Sequence, residues 1–102
     1  MALKVVWTKT ALRDLELAAG FIARDSAHYA STLVREAIVA SRSLETLARR
    51  GRIVPEINRE DTRELFVCNY RLIYRIGPGA VRIVGFVHGS RDAWAIIGRT
   101  RQ

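Results

Sequence analysis

The chain reads as an α+β protein: a helical hairpin packed on one face of a small, mainly antiparallel sheet, in the order β-α-α-β-β-β. Two observations predict this. Apolar residues of the first half recur at three- and four-residue spacing, the helical period, whereas those of the second half alternate with period two. The change of period falls at Gly51, and Gly77-Pro78-Gly79 marks a tight turn between the last two β-runs. At 102 residues the chain is expected to form one domain, residues 1–102, with a single modest core.

Leu3 to Trp7 is a short apolar β-run, and Thr8 or Thr10 can cap the helix that follows. In that helix Leu12, Leu15, Ala19 and Ile22 form one apolar stripe. Arg24-Asp25 breaks the stripe and Ser26 caps a second helix, in which Ala30, Leu33, Ala37, Ala40, Leu44 and Leu47 repeat. Arg49 and Arg50 suit the negative end of its dipole, with Gly51 as the residue beyond the C-cap. The short break makes the two helices an antiparallel hairpin. Arg52 to Asn58 is an extended connector, because Pro55 excludes helix and removes a ladder donor. Leu65–Val67, Tyr70–Ile76 and Val81–Val87 then read as strands. Cys68, the single cysteine, falls in an apolar strand pattern and is expected to be a buried thiol of a cytoplasmic protein.

Seventeen basic residues face ten acidic ones, a net charge of +7, and fifteen of the seventeen are arginine. The planar guanidinium fork suits phosphate and carboxylate. The excess lies in both halves of the chain, so it is no basic tail; it implies an anionic partner, nucleic acid or acidic protein or both, the simpler reading for most individual arginines being a solubility charge with a codon bias towards arginine. No apolar run reaches membrane-spanning length, and no membrane partner is expected. Two distant histidines and one cysteine lack metal-ligand spacing, and no phosphate-binding glycine loop is present, so neither metal nor cofactor is expected.

Strand alternation sorts side chains by face. Tyr70, Leu72, Tyr74 and Ile76 point one way, towards the helices, and Arg71, Ile73 and Arg75 the other. A register pairing Arg75 with Arg82 puts Arg71 near Phe86 and brings His88 to the same side. Arg71, Arg75, Arg82 and His88 then line one surface, with Arg91 just beyond. If this surface cleaves RNA, His88 is suited to acid or base work by its near-neutral pKa, Arg71 and Arg91 to holding the scissile phosphate, and Glu56 to acting as base. The simpler readings are a strand-end histidine bonded to backbone, a solvated sheet face, and a surface carboxylate after a proline. Without chemistry, Arg71, Arg75 and Arg82 are candidates for contacting a partner or nucleic acid.

Five pieces occur in an order that resembles the RelE/ParE superfamily of toxins from type II toxin–antitoxin systems. They are VVWTKTALRDL (Val5 to Leu15), GRIVPE (Gly51 to Glu56), Arg63-Glu64, YRLIYR (Tyr70 to Arg75) and VHGSRD (Val87 to Asp92). The resemblance covers nearly the whole chain and implies the same helical-hairpin-on-sheet fold. It also implies one of two activities. RelE-like members are ribonucleases that cut mRNA in the ribosomal A site; ParE-like members inhibit DNA gyrase, stabilising its cleaved DNA complex. Some ribonuclease members carry two lysines where Thr62 and Glu64 stand here, and a tyrosine in the region of Ile96 and Ile97. Another ribonuclease group uses glutamate, arginine and histidine, for which Glu56, Arg71 and His88 are the aligned residues. The resemblance therefore favours a gyrase inhibitor slightly, with a ribosome-dependent endoribonuclease as the alternative and a non-toxic basic nucleic-acid-binding module third. Both toxin branches imply a cognate antitoxin whose acidic or amphipathic tail covers the basic surface. Trp94, Ile96 and Ile97 are expected to pack on the sheet edge, with contact with a partner as the alternative.

Overall fold

A computed structural model of the chain describes residues 2–90. The elements are β1 (Lys4–Trp7), α1 (Lys9–Ala23), α2 (Ala27–Ser43), β2 (Arg52–Ile53), β3 (Thr62–Val67), β4 (Tyr70–Gly77) and β5 (Ala80–His88). The five strands form one sheet in the order β1-β5-β4-β3-β2. β1 runs parallel to β5 and every other pair is antiparallel, so the sheet is mixed. The α+β class and the helical hairpin expected from the period hold; β2 is an addition inside the connector.

Thr8 sets the start of α1. Its Oγ1 accepts from Ala11 N–H at 3.1 Å and donates to the Ile83 carbonyl at 2.9 Å, while its own N–H reaches the same carbonyl at 3.0 Å. These bonds fix the rotation of the helix against β5. The buried face is therefore Ala11, Leu15 and Ala18, with Ile22 half-buried. Leu12, expected in the stripe, stays 42% exposed. Ser26 caps α2 as expected, accepting from Tyr29 N–H at 3.2 Å.

α2 ends at Ser43, eight residues before the glycine expected to stop it. The Ser41 and Ser43 hydroxyls donate to the Ile38 and Ala40 carbonyls, and Leu44 N–H turns to the Ser41 carbonyl. Such local bonds compete with the helical ladder. Ala30, Leu33, Ala37 and Leu44 are buried as expected, but Leu47 lies beyond the helix and is exposed. Gly51 instead leads into β2 against Tyr74. A Cβ there would sit 2.6 Å from both the Glu64 carbonyl and the Tyr74 hydroxyl. The close approach lets Gly51 N–H donate to Tyr74 Oη at 3.0 Å while Oη donates to the Ala48 carbonyl at 2.7 Å.

The pairing of Arg75 with Arg82 is present, but it does not continue unbroken along the hairpin. Tyr74 pairs with Ile83 and Ile73 with Gly85, leaving Val84 as one extra residue, a β-bulge. Beyond it β5 changes face. Phe86 turns to the helical side, stacking on Tyr70 at 5.2 Å between ring centroids and 2° between planes. The Phe86 N–H donates to Asp14 Oδ2 on α1 at 3.2 Å.

The helical face carries the main core: α1 and α2 against Val67, Leu72, Tyr74, Val81, Ile83 and Phe86. The opposite face is covered as well. Val54 and Ile57 of the connector close over Ile73, Val84 and Val87 as a second, smaller cluster. Cys68 is exposed rather than buried. Val67 and Tyr70 pair, so Cys68 and Asn69 are the two-residue turn of the β3–β4 hairpin, with Cys68 at φ 55°.

Candidate functional site

The strand alternation places Arg71 on the face away from the helices, and the connector then encloses it. Its side chain is 5% exposed. Nη1 and Nη2 donate to the two oxygens of Glu56 at 2.8 and 2.7 Å, a fork-to-fork pair, and Nε donates to Glu64 Oε1 at 2.6 Å. Glu64, itself 1% exposed, accepts from Arg52 Nε through Oε2. Arg52 lies over the Phe66 ring at 5.2 Å. The hydrogen bonds to Glu56 outweigh the opposing effect of burial and, with those to Glu64, raise the Arg71 pKa. The guanidinium is permanently charged and held by carboxylates on two sides.

This arrangement explains why the connector lies flat. Glu56 sits between Val54 and Ile57, so its pairing with Arg71 fastens the same segment whose apolar residues cover Ile73 and Val87. Arg63 anchors the start of the segment from β3, donating to the Gly51 carbonyl at 2.9 Å. The sequence places Glu64 and Arg52 in the family motifs but not among the candidate site residues. The signal was available: in a hairpin with a two-residue Cys68-Asn69 turn, Glu64 pairs with Ile73 and becomes a diagonal neighbour of Arg71.

The structure brings Glu56 and Arg71 together but not His88. The bulge at Val84 pairs His88 with Tyr70, whose ring it meets edge-on at 5.6 Å, so His88 lies on the helical side of the sheet rather than beside Arg71. Phe86 likewise does not neighbour Arg71 on its own face; Arg71 pairs with Val87. Nδ1 of His88 is bonded within its own turn, to Ser90 Oγ at 3.0 Å. Arg91, Trp94, Ile96 and Ile97 lie outside the described residues.

Arg75 and Arg82 remain opposite each other on the face away from the helices, at the end of the sheet that the connector leaves open. With Asp61 and the Gly77-Pro78 turn they line a cleft of about 410 Å³. Burial alone would raise the Asp61 pKa, but hydrogen bonds from Arg59 and Thr62 and the charges of Arg59 and Arg75 bring it below its ordinary value. Among the described residues no three histidine, cysteine or acidic side chains converge as metal ligands, and no helix is long and apolar enough to cross a membrane.

Comparison with known proteins identifies the architecture. A family model described as the ParE toxin of the type II toxin–antitoxin system parDE matches residues 5–93. The chain belongs to that family. Among solved structures, the toxin is similar to a chain of the chromosomal ParDE toxin–antitoxin system from P. aeruginosa. That match has 17% identity and a TM-score of 0.69, covering 85% of this chain and 96% of the other. It is also similar to a chain of the RelBE2 toxin–antitoxin complex from Mycobacterium tuberculosis. There the identity is 25% and the TM-score 0.56, over 86% of this chain and 99% of the other. No curated relative matches. The RelE/ParE resemblance read from the sequence is thus established, and so are the α+β fold and the assignment as a type II toxin.

Proposed function

We propose that this toxin arrests growth by inhibiting DNA gyrase, without hydrolytic chemistry of its own, and is neutralised by a cognate antitoxin. The observation that supports this reading most is the state of Arg71. A ribonuclease that used it would need a guanidinium free to meet a phosphate, yet this one is enclosed and bonded to Glu56 and Glu64. Glu56, the candidate base, is committed to the same ion pair. His88, the candidate acid, lies across the sheet from both. The positions where some ribonuclease members carry lysines hold Thr62 and Glu64, both 1% exposed. Thus Arg71, Glu56 and His88 do not converge on one reacting phosphate.

An antitoxin partner is supported by the family match and by the complexes in which both structural neighbours occur. The toxin offers such a partner two kinds of contact: the basic surface, and an outer helical face where Leu17 and Phe21 are each 65% exposed. An amphipathic antitoxin segment folding on that face would engage one-turn-spaced anchors.

The test is a supercoiling assay with purified toxin and gyrase. Inhibition, with accumulation of cleaved DNA, is expected, and added antitoxin should restore supercoiling. Primer extension on translated mRNA from induced cells should show intact message. Cuts within codons together with normal supercoiling would replace this reading with the ribosome-dependent ribonuclease, acting through Arg71, Glu56, His88 and Arg91.

A further inference from the structure

We infer that the open end of the sheet's outer face binds the sugar–phosphate backbone of duplex DNA, through Arg75, Arg82 and Lys4. The inference goes beyond the gyrase reading and does not rest on it.

Arg71 and Arg75 stand on the same strand and face, and their circumstances are opposite. Arg71 is consumed by two carboxylates. Arg75 is half-buried and Arg82 exposed, and neither guanidinium has an ion pair or hydrogen bond among the described residues, although the charge of Arg75 acts on nearby Asp61. They are direct cross-strand partners. Like charges at directly opposed positions are destabilising, and an oxyanion between the two forks converts that repulsion into charge-assisted bonding.

The cationic row extends to the next strand. Val5 and Trp7 pack into the helical core, so Lys4 and Val6 face the other way. Lys4 pairs with Ala80 and is therefore a diagonal neighbour of Arg82. With strands about 4.8 Å apart and Lys4 offset by two residues, about 7 Å, along its strand, the three charges span about 12 Å, the axial length of roughly three to four phosphates on one DNA strand. Asp61 is the acid of this cleft, and its carboxylate is occupied by a two-bond pair with Arg59 at 3.2 and 3.1 Å and by the Thr62 hydroxyl at 2.9 Å. The cleft keeps a net positive charge.

The surroundings point to duplex backbone rather than single strands. Single-strand recognition relies on aromatic side chains on which bases stack. The lining of this cleft is Asp61, Arg75, Ile76, the Gly77-Pro78 turn, Ala80 and Arg82, with no aromatic ring. A surface of cations without a stacking platform reads phosphates, not bases.

The experiment is anisotropy titration of a labelled duplex of about 20 base pairs, between about 50 and 200 mM salt, with the full-length toxin. For Arg75→Gln with Arg82→Gln, duplex affinity at low salt should fall on the order of tenfold. The slope of log K against log salt should become shallower by about 1.8, two phosphate contacts at about 0.9 each. Arg75→Lys with Arg82→Lys should keep the slope, and Arg35→Gln on α2 should change nothing; melting curves establish that every variant is folded. Four results would overturn the inference: no duplex binding by the parent, the parent slope retained by the glutamine variant, tighter binding of a single-stranded RNA of equal length, or polyglutamate bound as tightly as the duplex. Gyrase inhibition is scored separately, so its absence removes the gyrase reading and leaves this titration standing.

Discussion

Replacing Arg71 by methionine should unfold this protein far more readily than it alters any surface property. The substitution removes three charge-assisted bonds of 2.6, 2.7 and 2.8 Å and keeps most of the side-chain volume. Glu64 is then left with a buried charge, whereas Glu56, 30% exposed along its side chain, can turn to water. Breaking a buried pair by removing one partner costs about 3–5 kcal/mol. Arg52 still reaches the other Glu64 oxygen, which places the expected loss near the lower end, about 3 kcal/mol. Out of a total of about 5–15 kcal/mol this is a large fraction. It corresponds to a melting temperature lowered by about 12–24 °C, at about 4–8 °C per kcal/mol. Urea denaturation measures it, with the m-value showing whether the transition stays two-state. Adding Glu64→Leu should recover about 1–2 kcal/mol, because the stranded carboxylate is removed with its partner. If Arg71→Met stays within about 0.5 kcal/mol of the parent, Arg71 is not a structural clamp and its role at a phosphate must be reconsidered.

Gly51→Ala should lose about 1–3 kcal/mol by the same assay, because the new methyl group meets the Glu64 carbonyl and the Tyr74 hydroxyl at 2.6 Å. Tyr74→Phe should cost about 1–3 kcal/mol, leaving the Gly51 N–H and the Ala48 carbonyl without their partner. Burial raises the Tyr74 pKa, partly offset by the Gly51 N–H and the charges of Arg63 and Arg50. The stability it contributes is therefore full below the ordinary tyrosine value of about 10 and falls as pH rises beyond it, a loss that should be smaller in Tyr74→Phe. Asp61 has the opposite sign. Its lowered pKa contributes stability above the ordinary value of 3.8 that is lost as pH falls, and Asp61→Asn should flatten that part of the acid limb. Cys68→Gly should stabilise by up to about 1 kcal/mol, since a side chain at φ 55° carries a left-handed penalty that glycine lacks. In the folded parent the same thiol should react at once with a thiol reagent.

The elements are legible in the sequence because period, caps and turns are local signals. Ser26, the Gly77-Pro78-Gly79 turn and the Arg75–Arg82 register follow from neighbours in the chain. Long-range events leave no such trace. One extra residue at Val84 changes the face of everything after it on β5; the only local hint is Gly85, a glycine inside a strand pattern, while the change of face itself is hidden because Ile83, Val84, Phe86 and Val87 are all apolar. The connector's return over Ile73 is equally hidden, since Val54 and Ile57 are two apolar residues around a glutamate. That fold-back changes the site. In the sequence Arg71 and Glu56 are separate candidates for one reaction; in the fold they are in contact, but as a closed ion pair. The third member, His88, is lost to the bulge.

The pairing of β1 with β5 joins residues about seventy-six positions apart, Lys4 with Ala80 and Trp7 with Ile83. Its effect on synthesis is direct. A ribosome releases β1 and both helices first, but β1 has no strand to pair with until β5 has emerged, and non-local strand pairing is slow to form. Thr8, which orients α1, waits for the same Ile83 carbonyl. The helical hairpin is therefore not seated on a complete sheet until β5 has emerged. For a toxin of this family the order of synthesis therefore separates making the helices from closing the sheet, since the strand that joins β1 to the rest is the last of the described elements to be made.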